Sequence, residues 1–332
     1  MTIQVFQADT FHLLAPYAFE REQITRYGAE FVVADCLTDD ELIAQAGNAE
    51  IILLAWRGVV TPRAMDALPR LRLIVRWGVG FDQIDAVAAT QRGIAVANAP
   101  SYASEEVAEQ AIALMMAAGR RVAWFHDRMR RDEWPSAQTN KIHRIKGRTL
   151  ALIGAGRIAA ATGWRARGLG MNVIAYDRYL SAEAIQHLGF EPVSFEDALS
   201  RGDYVSVHVP LNPETRHLID AQALARMQPG AFLINTSRGG VIDQAALTDA
   251  LAHGRIAGAG LDVYETEPLP AGDPMRRLEH VTLTPHMAAY SEESWHGLRV
   301  EMCDTVRQWI EGSWATSVVN PQVRSRLRPR QG

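Results

Sequence analysis

Short apolar runs alternate with longer amphipathic segments along the first hundred residues. The runs lie at residues 3–6, 31–33, 51–55, 73–75 and 95–97. Their near-continuous hydrophobicity is typical of strands that are buried on both faces of a parallel sheet. Helical periodicity spans residues 38–46 and 61–67, and Thr38 with Glu41 forms a capping box at the start of the first helix. The pattern predicts a small, doubly wound domain.

A second series of apolar runs begins near residue 149. The predicted strands are 150–153, 173–176, 204–207, 232–234, 258–261 and 281–283. Six strands are the number found in a complete dinucleotide-binding sheet. A long helix is expected after Pro100, and another over residues 291–310. The predicted fold class is therefore α/β, with two doubly wound, Rossmann-like domains and a cleft between them.

Two segments have no place in either predicted sheet. Residues 124–148 are polar and basic, contain Trp134, and are too long for a plain loop. We expect this segment to pack on a partner or on the other domain. Residues 324–330 alternate arginine with polar residues and proline, which predicts a frayed, solvated end.

A glycine turn opens the second series of strands. Gly154 and Gly156 follow the strand that begins at residue 149, a helical pattern comes next, and a second strand ends at Asp177. Gly154 permits a tight turn, and Gly156 lets a pyrophosphate approach the helix N-terminus. A carboxylate about 20 residues further on binds the ribose hydroxyls of NAD and repels a 2′-phosphate. The order of elements predicts an NAD site, although Arg178 could tolerate NADP.

Three chemically active side chains follow the ends of later apolar runs. These are Arg238, Glu267 and His286. Ligands bind at the carboxyl ends of the strands in open α/β sheets. Arginine grips a carboxylate with its planar fork, and a histidine beside a glutamate can exchange a proton near neutral pH. Each residue alone is also compatible with a surface arginine, a helix-capping glutamate or a core histidine.

Composition narrows the class of protein further. The net charge of −4 argues against a nucleic-acid or membrane-surface role. Cys36 and Cys303 lie far apart without metal-ligand spacing, so no metal site is predicted and a reducing compartment is expected. Neither a signal peptide nor an apolar run of membrane-spanning length is recognisable. These features predict a cytoplasmic enzyme.

The chain resembles the D-isomer-specific 2-hydroxyacid dehydrogenase family over nearly its whole length. The matching segments are residues 75–82, 208–215, 235–239, 262–268 and 284–286. Within the family, the chain resembles most the branch that contains the C-terminal-binding proteins. It shares with that branch the arginine at position 76, the segment 228–233 that leads to Arg238, and the segment 290–292. This chain departs from that branch at Ala289, where those proteins carry a tryptophan.

The resemblance implies a division of the chain and a set of roles. Residues 1–99 and 288–332 would form a discontinuous substrate domain. Residues 100–287 would form the NAD-binding domain, with a homodimerisation segment at 100–148. His286 and Glu267 would be the acid/base pair for hydride transfer between NAD and C2 of a small 2-oxo or D-2-hydroxy acid, with Arg238 on the substrate carboxylate.

Further site residues follow from the same resemblance. The substrate-binding residues would be Arg76, Gly78, Val79 and Gly80. The cofactor-binding residues would be Gly154, Gly156, Arg157, Ile158, Asp177, His208, Val209, Pro210, Thr215, Thr236, Ser237, Asp262 and Ala288. The turn at 78–80 would offer backbone N–H groups to an anion.

Alternatives remain open for several of these residues and for the function. The turn at 78–80 could be a plain strand-to-helix turn, Arg76 could make a surface ion pair, and His208 could be a core or loop histidine. The alternative function is an NADH-responsive binding protein with little turnover. The segments around residues 53–57, 76–80 and 287–295 would select the substrate, but their shapes do not follow from the sequence.

Overall fold

The computed structural model describes residues 2–10, 15–55, 57–136 and 142–330, and the chain divides into two compact units. Unit 1 comprises Met1–Ala103 with Ser291–Gly332, and unit 2 comprises Ser104–Tyr290. The sequence-based boundaries, at 99/100 and 287/288, lie a few residues earlier in both places.

Both units are built from alternating strands and helices. The strands are β1 (Gln4–Gln7), β2 (Glu30–Val33), β3 (Ile51–Leu54), β4 (Leu73–Arg76), β5 (Ala95–Ala97), β6 (Thr149–Ile153), β7 (Asn172–Tyr176), β8 (Glu191–Pro192), β9 (Tyr204–Val207), β10 (Phe232–Asn235), β11 (Gly258–Leu261) and β12 (Val281–Leu283). The α-helices are α1 (Ala18–Arg26), α2 (Asp39–Gln45), α3 (Pro62–Ala67), α4 (Ala86–Gln91), α5 (Ser104–Gly119), α6 (Val122–Met129), α7 (Arg157–Gly168), α8 (Ala182–His187), α9 (Phe195–Arg201), α10 (Ala221–Arg226), α11 (Gln244–Ala252) and α12 (Glu292–Ile310). Short 3₁₀ helices occur at Gly239–Val241, Pro274–Arg277 and Pro321–Arg326.

Within the described residues, each unit contains one sheet whose strands all pair in parallel. The order in unit 1 is β2-β1-β3-β4-β5, and the order in unit 2 is β12-β11-β10-β9-β6-β7-β8. The chain of unit 2 runs outward from β6 through β7 and β8, and then returns to β9 on the other side of β6. This reversal is the switch point at which ligands bind in such sheets. The predicted pair of doubly wound α/β units is confirmed.

The sheet of unit 2 has seven strands, so the expectation of six was wrong by one. The additional strand, β8, pairs with the outer edge of β7 through Glu191 and Pro192. Two residues are too few for an alternating or continuous apolar pattern, and a proline is tolerated because β8 is an edge strand. The sequence therefore carried no signal for it.

Alternate residues of each strand enter different cores, which explains the continuous apolar runs. In unit 1, Val5 packs with α1 and α12, whereas Phe6 packs with α2, α3 and α4. In unit 2, Leu152 packs with α5 and α7, whereas Ile153 packs with α9, α10 and α11. Both sheets are thus covered on both faces.

The predicted homodimerisation segment, residues 100–148, packs partly on the rest of unit 2. Met115 of α5 is fully buried among the side chains of unit 2. The indole nitrogen of Trp124 donates to Glu279 at 2.9 Å, and the Arg128 guanidinium stacks on the Trp124 ring and pairs with Glu279. Trp134 is 87% exposed.

The tail contradicts the prediction of a frayed end. Asn320 is buried, accepts the N–H of Val96 and donates to the carbonyl of Ile94, so the segment lies along the edge strand β5. The Arg328 guanidinium donates to the carbonyls of Met65, Leu68 and Arg92 at 2.7–2.9 Å. Composition alone suggested a solvated arginine-rich tail, but these arginine donors meet carbonyls at the ends of α3 and α4, which only the fold brings together.

The loop after β9 makes a close contact with the glycine turn after β6. Gly154 has φ +97°, and a Cβ at this position would lie 2.9 Å from the carbonyl oxygen of His208. The His208 ring is half-buried and bonds Ser206 Oγ through Nε2 at 2.9 Å. Burial lowers the pKa of His208 from 6.5 to about 4. The ring is therefore neutral in the folded protein at neutral pH.

The depressed pKa of His208 predicts a loss of stability on mild acidification. Between the unfolded value of 6.5 and the folded value of about 4, the unfolded state binds more protons, so the free energy of unfolding falls as pH falls. Relative to a His208→Gln variant, the wild type should lose at most roughly 2 kcal/mol between pH 7 and pH 5. Urea unfolding of both proteins at the two pH values measures this difference. A difference that does not change with pH would contradict the prediction.

The bonds of Arg328 predict that the tail stabilises unit 1. Arg328→Ala removes a charged donor from several buried carbonyls and should lower the free energy of unfolding by about 2 kcal/mol. Arg326→Ala is the matched control, because Arg326 is exposed, and it should change stability by less than about 0.5 kcal/mol. Urea unfolding measures both variants. Equal effects would show that Arg328 does not hold the tail.

Candidate active site and cofactor site

A histidine and a glutamate form a close pair beyond the carboxyl ends of β11 and β12. His286 Nδ1 lies 2.6 Å from Glu267 Oε2, and Glu267 Oε1 accepts the N–H of Tyr264 at 2.9 Å. Burial alone raises the pKa of the Glu267 carboxyl, but the bond and charge of His286, the Tyr264 N–H and the charge of Arg238 together hold it below its ordinary value. Glu267 is therefore an anion near neutral pH, and its Oε2 accepts a hydrogen bond from Nδ1–H of His286.

The buried carboxylate of Asp262 positions the loop that carries His286. Oδ1 accepts bonds from Thr284 Oγ1 and the N–H of Met287, and Oδ2 accepts the N–H of Ala288. The N–H of His286 donates to the Asp262 carbonyl at 2.8 Å, and His286 has a left-handed φ of +55°. In this structure Asp262 and Ala288 thus fix the loop, whereas their predicted cofactor contacts remain predictions.

The turn that carries Arg238 packs against the segment that carries Glu267. Asn235 donates to the Arg238 carbonyl and accepts both the N–H and the hydroxyl of Ser237. A Cβ on Gly239 would overlap the backbone of Tyr264, so only glycine permits this approach. The Arg238 guanidinium bonds the Ser237 carbonyl and is close enough for its charge to act on Glu267.

The glycine turn after β6 has the features of a dinucleotide site. Gly156 is the N-cap of α7, and a Cβ there would meet no atom within 4 Å, so the space above the helix N-terminus is open. The backbone N–H groups of Arg157 and Ile158 begin this helix, where a phosphate is stabilised. Asp177 follows β7, and its Oδ2 accepts the N–H of Ala155 at 2.8 Å.

An unsatisfied hydroxyl lies further along the same sheet edge, after β10. Thr236 is 7% exposed, and its Oγ1 has no hydrogen-bond partner among the described residues. A buried hydroxyl without a partner is costly and calls for a ligand or water. With the open helix N-terminus and Asp177, this hydroxyl shows that the residues present fit a bound NAD.

The remaining predicted cofactor residues lie in the loop after β9. Val209 is placed against Gly154. Thr215 Oγ1 donates to the carbonyl of Pro210 at 2.6 Å and accepts the N–H of Asn212. The loop is therefore ordered by its own bonds and approaches the glycine turn. Direct contacts of His208, Val209, Pro210 and Thr215 with a cofactor remain predictions.

The predicted substrate residues of unit 1 surround the turn after β4. The Arg76 side chain is buried rather than at the surface, and its Nη1 donates to the carbonyls of Ala55 and Trp77. The carbonyl of Gly78 accepts the N–H of Ala99, and that of Val79 accepts Asn98 Nδ2. Substrate contacts by Arg76, Gly78, Val79 and Gly80 remain predictions.

A second histidine–glutamate pair was not foreseen from the sequence. His217 Nε2 bonds Glu265 Oε1 and joins the loop after β9 to the segment that carries Glu267. His217 has a left-handed φ of +52°, and the N–H of Glu265 donates to Gln244 Oε1 at 3.0 Å. A pair that is separated by 48 positions leaves no local pattern, so nothing in the spacing could have revealed it.

Two other kinds of site find no support in the described part of the chain. No three His, Cys, Asp or Glu side chains are grouped there as metal ligands would be. None of the described helices combines the length and apolarity that crossing a bilayer requires.

Comparisons with known proteins agree with this geometry. Residues 112–288 match the model of the D-isomer-specific 2-hydroxyacid dehydrogenase NAD-binding domain. The chain is 41% identical to a glyoxylate reductase of Korarchaeum cryptofilum over 87% of both chains. It is 38% identical to a D-3-phosphoglycerate dehydrogenase of Methanocaldococcus jannaschii over 88% of this chain, but it spans only 55% of that longer relative.

Solved structures show the same relationship. The crystal structure of D-lactate dehydrogenase from Aquifex aeolicus, complexed with NAD and lactic acid, superposes with a TM-score of 0.82. It is 27% identical, and the match covers 98% of each chain. The alternation of strands and helices, the glycine turn followed by Asp177, and these matches lead to one conclusion. The chain belongs to the D-isomer-specific 2-hydroxyacid dehydrogenase family and is an NAD-dependent enzyme of that family.

Proposed function

We propose that this protein interconverts a small 2-oxo acid and the corresponding D-2-hydroxy acid, with His286 and Glu267 as the acid/base pair. The bond of 2.6 Å between His286 Nδ1 and Glu267 Oε2 carries the proposal. It gives one ring nitrogen a fixed anionic acceptor, so that proton exchange with substrate falls to Nε2. When bound, the nicotinamide supplies or accepts the hydride.

His286, Glu267 and Arg238 have separate roles in the proposed reaction. In the reducing direction, His286 Nε2 donates a proton to the carbonyl oxygen, on which negative charge develops. Glu267 keeps the ring oriented through its bond to Nδ1. Arg238 binds the substrate carboxylate with its planar fork. The backbone of Val79 and Gly80 is proposed as a further carboxylate ligand, and a cytoplasmic location is proposed from the composition.

The substrate is proposed only by class. Glyoxylate, hydroxypyruvate, phosphohydroxypyruvate and branched 2-oxo acids share the carboxylate and the carbonyl that these residues address. Relatives named glyoxylate reductase and D-3-phosphoglycerate dehydrogenase support this class. A panel of these acids with NADH, followed at the reduced nicotinamide absorbance, ranks them by kcat/KM. Absence of turnover with every acid would favour the alternative function, an NADH-responsive binding protein with little turnover.

Replacement of His286 tests the proposed mechanism. His286→Asn should lower kcat for the best acid by about 100-fold or more, because the proton donor is lost. The Kd for NADH should change little. His253→Asn is the matched control, since His253 is exposed at the end of α11, and it should keep wild-type rates. Near-normal turnover of His286→Asn would remove His286 from the mechanism.

We also propose a two-fold homodimer that uses the segment 100–148. Val122 and Met129 lie seven residues apart on one face of α6, and both are exposed, as is Trp134. Large exposed apolar side chains of this kind are enriched at interfaces. Val122 and Met129 remain exposed although Trp124 of the same helix is bonded to Glu279 of unit 2.

Light scattering at micromolar concentration tests the proposed dimer. We expect about twice the mass of one chain for the wild type and a shift toward the single-chain mass for Val122→Glu, because a buried unpaired charge disfavours association. Val87→Glu is the matched control, because Val87 is an exposed valine on α4. A single-chain mass for the wild type would refute the dimer. Dissociation by Val87→Glu alone would place the interface in unit 1.

A further inference from the structure

Three side chains beside the cofactor acid form a cluster that the proposed reaction does not use. The Arg178 guanidinium lies 3.5 Å from Glu214 Oε2, and the Tyr179 hydroxyl donates to the same oxygen at 2.8 Å. The carboxylate of Glu214 raises the pKa of the Tyr179 phenol. We call Arg178, Tyr179 and Glu214 the Glu214 cluster.

Backbone bonds place both sides of the Glu214 cluster. Asp177 Oδ1 accepts the N–H groups of Tyr179 and Leu180, which turns the chain directly after β7. On the other side, Asn212 Oδ1 accepts the N–H groups of Glu214 and Thr215. The cluster therefore joins the end of β7 to the loop after β9 through side chains held on two ordered turns.

Arg178 directly follows Asp177, so its contact with Glu214 bears on the choice between NAD and NADP. An arginine next to the ribose-binding acid is the group that accommodates the 2′-phosphate of NADP in dinucleotide folds. Its guanidinium would form charge-assisted bonds to that phosphate. Here the guanidinium faces the carboxylate of Glu214 instead. A 2′-phosphate would have to displace this anion while also meeting the charge of Asp177.

We propose that Glu214 is a specificity-determining residue, which withholds Arg178 from the 2′-phosphate and so reinforces the preference for NAD set by Asp177. The proposal rests on the proposed function in one respect, the binding of the dinucleotide at the turn of Gly154 and Gly156. Glu214 touches neither reacting group, and it acts through Arg178. Tyr179 supports it by holding the same carboxylate oxygen.

The expected effect is modest because the pair is exposed. The side chains of Arg178 and Glu214 are 58% and 49% exposed to solvent. Exposed ion pairs are weak and are screened by salt. Glu214→Gln should therefore tighten NADPH binding by about 3- to 5-fold at low ionic strength. The affinity for NADH should stay within about twofold, because NADH has no 2′-phosphate for Arg178 to bind.

Four proteins separate action through Arg178 from simple charge repulsion. They are the wild type, Glu214→Gln, Arg178→Ala and the double variant. Direct titration with NADH and NADPH, followed by nicotinamide fluorescence, measures each Kd without any substrate. The gain in NADPH affinity should shrink to less than about twofold when Arg178 is absent, since a coupled pair is not additive. Glu196→Gln, which removes an exposed carboxylate on α9, should leave both affinities unchanged.

Each other result has a definite meaning. An unchanged NADPH affinity in Glu214→Gln overturns the proposal, and so does an equal gain with and without Arg178. Either result leaves the proposed function intact as long as the wild type binds NADH. A wild type that binds neither NADH nor NADPH would overturn the dinucleotide site itself, and with it both proposals. Thermal melting of each variant confirms that the comparison is made between folded proteins.

Discussion

The position of His286 depends on one buried carboxylate. Asp262 is fully buried at the end of β11 and holds Thr284, Met287 and Ala288, which flank His286 on both sides. A buried charge is stable only when donors surround it. The need to satisfy Asp262 therefore closes the loop after β12 over the end of β11. This closure accounts for the left-handed backbone at His286 and brings its ring to Glu267.

Much of this arrangement follows from the chain itself. Parallel strands that are covered on both faces must be apolar throughout, so their ends can be read where the apolar runs stop. Arg238, Glu267 and His286 each follow such an end, and parallel strands bring their carboxyl ends to one edge. The glycine turn and Asp177 could be recognised from the sequence because each has a local physical reason. Glycine permits the tight turn, and a carboxylate binds the ribose hydroxyls. For these residues, local pattern and fold point to the same place.

The features that escaped prediction depend on contacts between distant segments. The bond between His217 and Glu265, the docking of Arg328 on α3 and α4, and the burial of Arg76 each join groups with no sequence pattern in common. Arginine is the clearest case. The same residue is solvated, stacked or buried according to the carbonyls and carboxylates that the fold presents to its donors. Composition alone could not distinguish these states.

The strand order also fixes where Asp177, Thr236 and His286 lie along the sheet edge. Asp177 follows β7, Thr236 follows β10, and His286 follows β12, and the order β7-β6-β9-β10-β11-β12 places them in one direction. Neighbouring strands lie about 4.8 Å apart, so β7 and β10 are separated by roughly 14 Å. The carboxylate of Asp177 thus lies at one end of the edge, the unsatisfied hydroxyl of Thr236 in the middle, and the pair of His286 and Glu267 at the other end. Because the order of strands fixes this sequence of groups, the polarity of a dinucleotide along the edge is set by topology, before any single contact is considered.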